Sequence, residues 1–305
     1  MKKGLFIVNP SSGRQNFTDK LREIVGTLIL RQICNTIDIY YTEKKDDAIR
    51  RTSELKEGEY DFVVAVGGDG TLNEVVNGVV KSGSGIPIAL LSTGTVNDFG
   101  SYLNLPQDTR DFCRMIKDFE LHGVDVGQVN DKYFINVVAA GMMSDIGFRV
   151  PKEQKAAFGK MAYYLEGAAD IPNQLGNVFH MQFVTADTVV DEEVRLFMVA
   201  NSRSVGGFKD IAPQASVSDG LFDVIIFKKM DLFQMFPLLF AVLSGDHVNH
   251  PMVEYLQTDK IHITNLSGQE IAVDYDGEYL DGGFPLEISL HPKEVNFLVP
   301  KKEEE

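Results

Sequence analysis

Apolar runs alternate with polar turns along the first hundred residues of the chain. Residues 61–66 form an apolar run that is typical of a buried strand, and a turn with glycines at 67, 68 and 70 follows it. Beyond the turn, apolar residues recur at the spacing of one helix face, at Leu72, Val75, Val76 and Val79. The pattern predicts a strand, a tight turn and an amphipathic helix.

Two further apolar runs end in turns of the same kind. Residues 86–91 precede Ser92–Asp98, and residues 4–8 precede Asn9–Gly13. Another strand is predicted at 36–41. Strands alternating with helices predict an α/β domain with a parallel sheet over residues 1–125. In such sheets ligands bind beyond the carboxyl ends of the strands, where these turns lie.

The pattern changes after residue 125, where short strands are separated by turns. This predicts an antiparallel β-sandwich domain over 126–290, followed by a segment over 291–305 with a short charged tail. Helical insertions are predicted near 155–169 and 230–243, the second most simply as a buried helix. The predicted strands are 133–139, 178–185, 193–200, 221–227, 260–265 and 270–275.

Composition excludes several classes of protein. The chain of 305 residues has a net charge of −15 and lacks a basic stripe, so no nucleic-acid partner is expected. Two cysteines, Cys34 and Cys113, offer no disulfide framework, which favours a cytoplasmic location. The longest apolar run, from Leu232 to Leu243, is well short of the roughly 20 residues that span a bilayer.

The glycine-rich turn at 67–70 has the chemistry of a phosphate site. Glycines bring backbone N–H groups close to a ligand, and a helix N-terminus favours anions. Asp69 would repel phosphate unless a divalent cation lay between them, as Mg²⁺ does when carboxylates and phosphate oxygens hold it together. A strand–helix connection without a ligand is the alternative. Three such turns at one sheet edge favour a metal–nucleotide site.

The motifs Asn9–Gly13, Gly67–Asn73 and Thr93–Asp98 resemble those of soluble lipid kinases in the diacylglycerol kinase catalytic-domain family, most of all the bacterial diacylglycerol kinases. NAD kinases and 6-phosphofructokinases have similar central turns, so the ordered set carries the resemblance. It continues through Val124–Gly127, Phe134–Asn136, Phe158–Lys160, Tyr163–Tyr164, Gly206–Lys209, Ser218–Gly220 and Asp276–Glu278.

The resemblance implies ATP and Mg²⁺ as cofactors and a defined set of nucleotide contacts. Taken alone, Thr42 is more typical of a helix N-cap than of such a contact. The implied nucleotide-binding residues are Asn9, Pro10, Ser11, Ser12, Gly13, Thr42, Gly67, Gly68, Asp69, Gly70, Thr71, Leu72, Asn73, Gly94, Thr95, Asn97 and Asp98.

The resemblance also implies catalytic carboxylates at Asp276 and Glu278, besides Asp69. One deprotonates or orients the acceptor hydroxyl and the other helps to hold the catalytic metal. The position within the motif favours Glu278 as the base. The alternative is an acidic hairpin turn, which Asp-Gly commonly forms.

A second, structural Mg²⁺ is implied at Ser216, Asp219 and Leu221, through one carboxylate and the main-chain carbonyls at 216 and 221. A plain Asp-Gly turn is the alternative. The physical role expected of this cation is to fix a loop of the second domain so that the 276–278 segment faces the nucleotide.

The predicted function is phosphorylation of diacylglycerol to phosphatidic acid by an ATP- and Mg²⁺-dependent kinase. Alternative acceptors are phosphatidylglycerol, a sphingoid base or NAD, and a non-catalytic nucleotide- or lipid-binding regulator is a further alternative. Retention of Asp69, Asp276 and Glu278 favours an enzyme. The resemblance implies a cleft between the domains, return of the last segment to the first domain, and peripheral, transient contact with the inner membrane surface. A homodimer is compatible with it. Because the implied substrate is a lipid, the helix predicted at 230–243 has an alternative to burial, as a wall of an acyl-chain pocket or a contact with the bilayer.

Overall fold

The computed structural model describes residues 1–12, 17–93, 97–142, 178–206, 208 and 210–301. The chain divides into two compact units. The first unit comprises Met1–Val124 and Lys293–Glu305, and the second unit comprises Asp125–Pro292.

The first unit alternates strands and helices. The elements are β1 (Lys2–Val8), α1 (Phe17–Leu30), β2 (Cys34–Tyr41), α2 (Asp47–Ser53), β3 (Phe62–Gly67), α3 (Asp69–Ser82), β4 (Ile88–Ser92), α4 (Asp98–Tyr102) and α5 (Thr109–Asp118). The sheet of this unit has the order β4-β3-β1-β2 with parallel pairings, and the end of the strand Leu286–Val299 joins it beside β4, also in parallel.

The central strands of this sheet are buried along their whole length. Every residue of β3 and β4 is buried, and α3 buries Leu72, Val75, Val76 and Val79, the residues predicted from the helical spacing. Strands buried on both faces are continuously apolar, as the parallel sheets of α/β proteins require. The prediction of an α/β domain with a parallel sheet is confirmed.

The second unit is built of antiparallel strands. The elements are β5 (Glu120–Val129), β6 (Lys132–Phe134), β7 (Val137–Gly141), β8 (Phe179–Val184), β9 (Val189–Ala200), β10 (Phe222–Lys228), α6 (Leu232–Ser244), β11 (Val253–Thr258), β12 (Lys260–Asn265), β13 (Val273–Tyr275), β14 (Glu278–Tyr279) and β15 (Leu286–Val299), with a short 3-10 helix at Asp246–Asn249. The strand order is β14-β13-β7-β9-β8-β12-β15, while β10 pairs with β9 and β11.

Alternate residues of the strands pack into two apolar clusters, as a sandwich requires. Phe222, Val224 and Ile226 of β10 lie in one cluster, whereas Ile225 and Phe227 lie in the other. The prediction of an antiparallel β-sandwich is confirmed. Among the described residues, no helix is both long enough and apolar enough to cross a bilayer.

Several predicted boundaries differ from those observed. The single strand predicted at 133–139 is two strands, β6 and β7, because the N–H groups of Ile135 and Asn136 bond a side chain instead of a neighbouring strand. The pattern does not predict β5 or β11, in which polar residues interrupt the apolar alternation. The helix predicted at 155–169 lies outside the described residues.

Candidate functional site

Hydrogen bonds tie the three polar turns of the first unit together. Val8 of β1 is level with Val66 of β3, and Gly67 is level with Ser92 of β4, so the turns leave the same edge of the sheet. The side-chain N–H of Asn9 donates to Thr71 Oγ1 at 3.1 Å, which links the first turn to the second. The Thr93 hydroxyl donates to the Ser12 carbonyl at 3.1 Å, which links the third turn to the first.

The turn between β3 and α3 has no room for a side chain at its start. A Cβ added at Gly67 would lie 2.3 Å from Thr71 Oγ1 and 2.5 Å from Thr71 Cβ. Gly68 is extended, with φ of −94°, and caps α3. The first N–H groups of a helix have no intrahelical acceptor, and they lie at its positive end. The turn therefore offers backbone donors to an anion.

Asp69 is the first residue of α3 and is partly buried. A carboxylate in the first turn interacts favourably with the helix dipole. The same placement would put it beside a phosphate bound at the helix N-terminus, where a Mg²⁺ ion held by both groups removes their repulsion. The catalytic assignment of Asp69 stays a prediction.

Thr42 lies next to the first turn and is not the N-cap of a helix. Its N–H donates to the Val8 carbonyl at 2.9 Å, and its hydroxyl lies 3.4 Å from the same oxygen. The N-cap of α2 is Asp46, so the structure does not support the capping alternative for Thr42. The residue is placed where β1 and β2 end, beside the turn that contains Asn9.

The other predicted nucleotide residues differ in accessibility. Leu72 and Asn73 are buried in α3, so a nucleotide would reach their backbone rather than their side chains. Asn97 caps α4 in the left-handed conformation, and Asp98 is buried behind it. Pro10, Ser11 and Gly70 are exposed, whereas Gly13, Gly94 and Thr95 lie outside the described residues. Thr93 belongs to the joined turns but not to the predicted set, although it directly follows an apolar strand.

In the second unit, Asp276 and Gly277 form a two-residue hairpin turn. Tyr275 of β13 pairs with Glu278 of β14, and the turn residues have φ of +50° and +85°. Positive φ at both central positions is the type I′ geometry, for which Asp-Gly is a favoured pair. The hairpin alternative thus gives the correct local structure. The roles of the Asp276 and Glu278 carboxylates therefore have to be inferred from their contacts.

The Asp276 carboxylate accepts three backbone hydrogen bonds. One oxygen takes the Ile135 N–H at 2.7 Å, and the other takes those of Asn136 and Val137 at 2.9 Å each. Asp276 is also buried. A carboxylate offers about four acceptor positions, so three are already used. Its contacts are those of a residue that holds the hairpin to the 135–137 segment. Glu278 is partly buried on β14.

A buried polar network continues from this segment to the loop over 216–221. The side-chain N–H groups of Asn201 donate to the carbonyls of Ile135 at 2.9 Å and Asp125 at 2.8 Å. Asp125 in turn accepts the Gly220 N–H at 2.8 Å. Sequence reasoning missed Asn201, which no motif indicates, whereas Asp125 lies within one of the quoted motifs. The network mechanically connects the hairpin to the predicted cation loop.

The predicted cation loop contains one exposed carboxylate, and a buried carboxylate follows it on β10. Asp219 is exposed and accepts the Leu221 N–H at 3.1 Å. Asp223 is fully buried, and its Oδ2 finds no hydrogen-bond partner among the described residues. Burial, with a smaller contribution from the charge of Asp219, raises the pKa of Asp223 to about 6. Tyr255 and Gln257 donate to the other Asp223 oxygen and oppose the rise in the pKa.

The 216–221 loop and the adjacent Asp223 have the oxygen groups and the negative charge that suit a hard cation. Two neighbouring carboxylates, one buried with an unsatisfied oxygen, are unfavourable without a counter-charge. No group of three or more His, Cys, Asp or Glu side chains could hold a metal within the part of the chain that the structure describes. A cation here would therefore depend on the carbonyls of Ser216 and Leu221 as well as on Asp219, a mixture that Mg²⁺ accepts.

Comparisons with known proteins cover both units. The family described as the diacylglycerol kinase catalytic domain matches residues 3–129, and the YegS C-terminal NAD kinase beta sandwich-like domain matches residues 136–299. A diacylglycerol kinase of Bacillus subtilis strain 168 is 31% identical over 309 residues, with 100% of this chain and 99% of the relative covered. One from Staphylococcus epidermidis strain RP62A is 32% identical over 300 residues, with 98% and 93% covered.

Solved structures agree with these matches. The crystal structure of a diacylglycerol kinase from Bacillus anthracis strain Sterne superposes with a TM-score of 0.79 at 27% identity. The alignment covers 97% of this chain and 96% of that one, so the similarity extends over both units.

Proposed function

Because the chain belongs to the diacylglycerol kinase catalytic-domain family, we propose that it is an ATP- and Mg²⁺-dependent lipid kinase acting on diacylglycerol. The observation that carries the proposal is the joining of the three turns through Asn9–Thr71 and Ser12–Thr93 at the N-terminus of α3. These hydrogen bonds join the three turns through the chain's own groups. Catalysis of phosphoryl transfer rests mainly on positioning and electrostatic stabilisation of the phosphates.

In this mechanism the backbone N–H groups of Gly68, Asp69 and Gly70 bind phosphate oxygens of ATP. Asp69 would hold Mg²⁺, which neutralises phosphate charge when it is bound. Because Gly67 has no side chain, Thr71 can keep its hydrogen bond with Asn9. This hydrogen bond holds the N-terminus of α3 in place.

Glu278 is the proposed base. Three backbone N–H groups already occupy the Asp276 carboxylate, so its oxygens are engaged in holding the 135–137 segment. Glu278, next to the turn, takes the proton of the lipid hydroxyl as that oxygen bonds to the γ-phosphorus and the bond to the β-phosphate oxygen breaks. Asp276 acts as a positioning residue, since it fixes the turn that carries Glu278.

The test is transfer of the label from γ-labelled ATP in the presence of Mg²⁺. Diacylglycerol in mixed micelles is the first acceptor, and parallel reactions contain phosphatidylglycerol, a sphingoid base or NAD. Labelled phosphatidic acid as the main product supports the proposal. Transfer only to another acceptor keeps the phosphotransferase and replaces its substrate, while ATP binding without any transfer would indicate a regulator.

NAD is retained as a second candidate acceptor for one reason. The domain that matches residues 136–299 is described as NAD kinase beta sandwich-like. The rate of phosphorylation of a lipid depends on the surface concentration of the lipid in the micelles. The rate of phosphorylation of a hydrophilic acceptor such as NAD does not. Varying the detergent at constant NAD or diacylglycerol therefore separates the two candidates.

A further inference from the structure

The helix α6 is uncharged over its whole length. Its 13 residues, Leu232–Ser244, include no Asp, Glu, Lys or Arg. Asp231 and Gln234 form a capping box at the start of the helix, and Gly245 ends it in the left-handed conformation. Defined caps at both ends mark a rigid element rather than a frayed segment. An uncharged helix is unusual on the surface of a chain with a net charge of −15.

The two sides of α6 differ in what they contact. Met235, Leu238 and Val242 pack into the apolar cluster that contains Ile225 and Phe227. Phe233 is 88% exposed and Phe240 is 73% exposed, and Pro237 is exposed between them. Positions 233, 237 and 240 share one helix face by their spacing of four and three residues. We define these three residues as the α6 face.

We propose that the α6 face docks the protein onto the surface of a lipid bilayer. The inference rests on the proposed function, since a kinase of diacylglycerol must reach a substrate that resides in a membrane. A helix of 13 residues is too short to span a bilayer, which takes about 20 residues. Such a helix lies in the plane of the interface and buries its apolar side at the boundary between headgroups and acyl chains.

Charge favours a lipid surface over a second copy of the chain. Two copies that each carry a net charge of −15 repel one another, and α6 has no cation to offset this. The two lysines that precede the helix are paired: Lys228 with Glu254 at 2.9 Å, and Lys229 with Glu193 at 2.9 Å. A zwitterionic surface carries no net charge and imposes no such repulsion.

The same pairing predicts how binding responds to lipid and salt. With Lys228 and Lys229 paired, residues 228–244, all of which the structure describes, offer no unpaired cation to anionic headgroups. Binding is therefore driven by burial of the two phenylalanines. It is expected to persist in high salt and to be no stronger on phosphatidylglycerol-rich vesicles than on phosphatidylcholine vesicles. A polybasic site behaves in the opposite way on both counts.

The test is flotation of the full chain with phosphatidylcholine vesicles. The variant carries Phe233→Ser and Phe240→Ser, and the matched control is Leu30→Ser, which removes an apolar side chain that is 85% exposed at the end of α1. Losing the burial of two phenylalanines weakens the partition coefficient by roughly 30-fold or more. The control should float like the unmodified chain. Equal flotation of the double variant, or no flotation of the unmodified chain, overturns the proposal.

A second measurement does not rely on loss of binding. The chain has no tryptophan, so Phe240→Trp introduces a single fluorescent reporter on the α6 face. Its emission should shift to the blue when phosphatidylcholine vesicles are added, whereas the emission of Leu30→Trp should not. An unshifted Phe240→Trp spectrum contradicts docking through this face.

Two controls separate this proposal from its alternatives. Light scattering across a range of protein concentrations tests for self-association, and a dimer abolished by the double substitution would overturn the proposal in favour of a second copy. Vesicle binding is measured without ATP, so it does not depend on phosphoryl transfer. Flotation that requires Phe233 and Phe240 in a protein with no kinase activity would leave docking intact and refute the proposed function alone.

Discussion

The two units present similar Asp-Gly pairs in different ways. In the first unit, Asp69 and Gly70 open α3, where a carboxylate lies at the positive end of a helix. In the second unit, Asp276 and Gly277 form a hairpin turn, where the carboxylate is bonded to three backbone N–H groups. We propose that the first pair acts on a ligand, whereas the contacts of the second pair hold the chain. The dipeptide alone does not determine which role it serves.

The difference follows from the residues on either side of each pair. After Gly70, apolar residues at helical spacing continue into a core helix. On both sides of Asp276–Gly277, residues pair across two short strands, and the turn takes the twist that such strands require. Removing Asp69 should therefore cost catalysis, whereas removing Asp276 should cost stability first.

The largest expected effect tests the assignment of Glu278 as the base. Glu278→Gln keeps the size of the side chain and removes its ability to take a proton. Loss of a positioned base typically lowers the rate by about 10²–10⁴-fold, and kcat in the labelled-ATP assay should fall by that factor. The KM for ATP and the unfolding midpoint should stay the same.

The exposed Asp281, three residues further on, is the matched control. Asp281→Asn should retain full activity. If Glu278→Gln kept more than about a tenth of the activity, the base would have to be another group. The hairpin of the second unit would then contribute only structure, which would sharpen its contrast with the turn of the first unit.

The next effect concerns Asp276, whose replacement leaves buried donors without an acceptor. Each unsatisfied buried N–H costs about 1–3 kcal/mol, and Asp276→Ala affects three of them. The free energy of unfolding in urea should fall by about 3 kcal/mol or more. Asp276→Asn keeps one oxygen for Asn136 and Val137 but turns an amide N–H towards the Ile135 N–H, so an intermediate loss is expected.

Activity measurements on the same variants show whether Asp276 only positions the turn or takes part in the reaction. If Asp276 is a positioning residue, its replacement lowers the stability and the rate of the protein together, because the turn that carries Glu278 is released. If Asp276→Asn were as stable as the unmodified chain but inactive, Asp276 would itself belong to the reacting groups. The two Asp-Gly pairs would then have the same kind of role.

A smaller effect is expected from closing the space at the start of the nucleotide turn. In Gly67→Ala the new Cβ would clash with Thr71, which must move away from Asn9. Affinity for a non-hydrolysable ATP analogue should fall by roughly tenfold, or about 1.4 kcal/mol, in calorimetric titration. Gly26→Ala in α1 is the control, because a Cβ there meets nothing within 4 Å.

The control also checks that the effect is local. A helical glycine replaced by alanine gains about 0.5–1 kcal/mol of stability where the new Cβ meets no other atom, so Gly26→Ala should be slightly more stable and bind the analogue normally. Normal binding by Gly67→Ala would show that the joined turns do not form the phosphate cradle.

The fold was largely predictable from the sequence because its strands are short, apolar and separated by strong turn signals. Both fold classes, the α3 face and the position of α6 follow from periodicity alone. The break between β6 and β7 did not, since it depends on Asp276, which is 139 or more residues distant in sequence from the amides it binds. A local pattern carries no information about such a contact.

The site was predictable in its parts but not in its contacts. Motifs indicated Asn9, Thr71 and Asp276, yet no spacing rule shows that Asn9 bonds Thr71. Asn201 and Asp223 were missed for a physical reason, since each acts through a buried contact with distant backbone or with a neighbouring loop. Both residues matter because they are buried, and the sequence does not show which polar residues are buried.

The smallest expected effect asks whether a cation at the 216–221 loop belongs to the second unit alone. A ligand that binds only the folded chain adds about 1.4 kcal/mol at ten times its dissociation constant, so Mg²⁺ without nucleotide should raise the melting temperature by a few degrees. Asp219→Asn should abolish this rise, while Asp69→Asn and the exposed control Asp187→Asn should retain it. Asp223→Asn should reduce it, because a neutral side chain no longer needs a counter-charge. A rise lost in Asp69→Asn but kept in Asp219→Asn would place the free-ion site in the first unit, and the carboxylates near the loop would then be no more than turn residues.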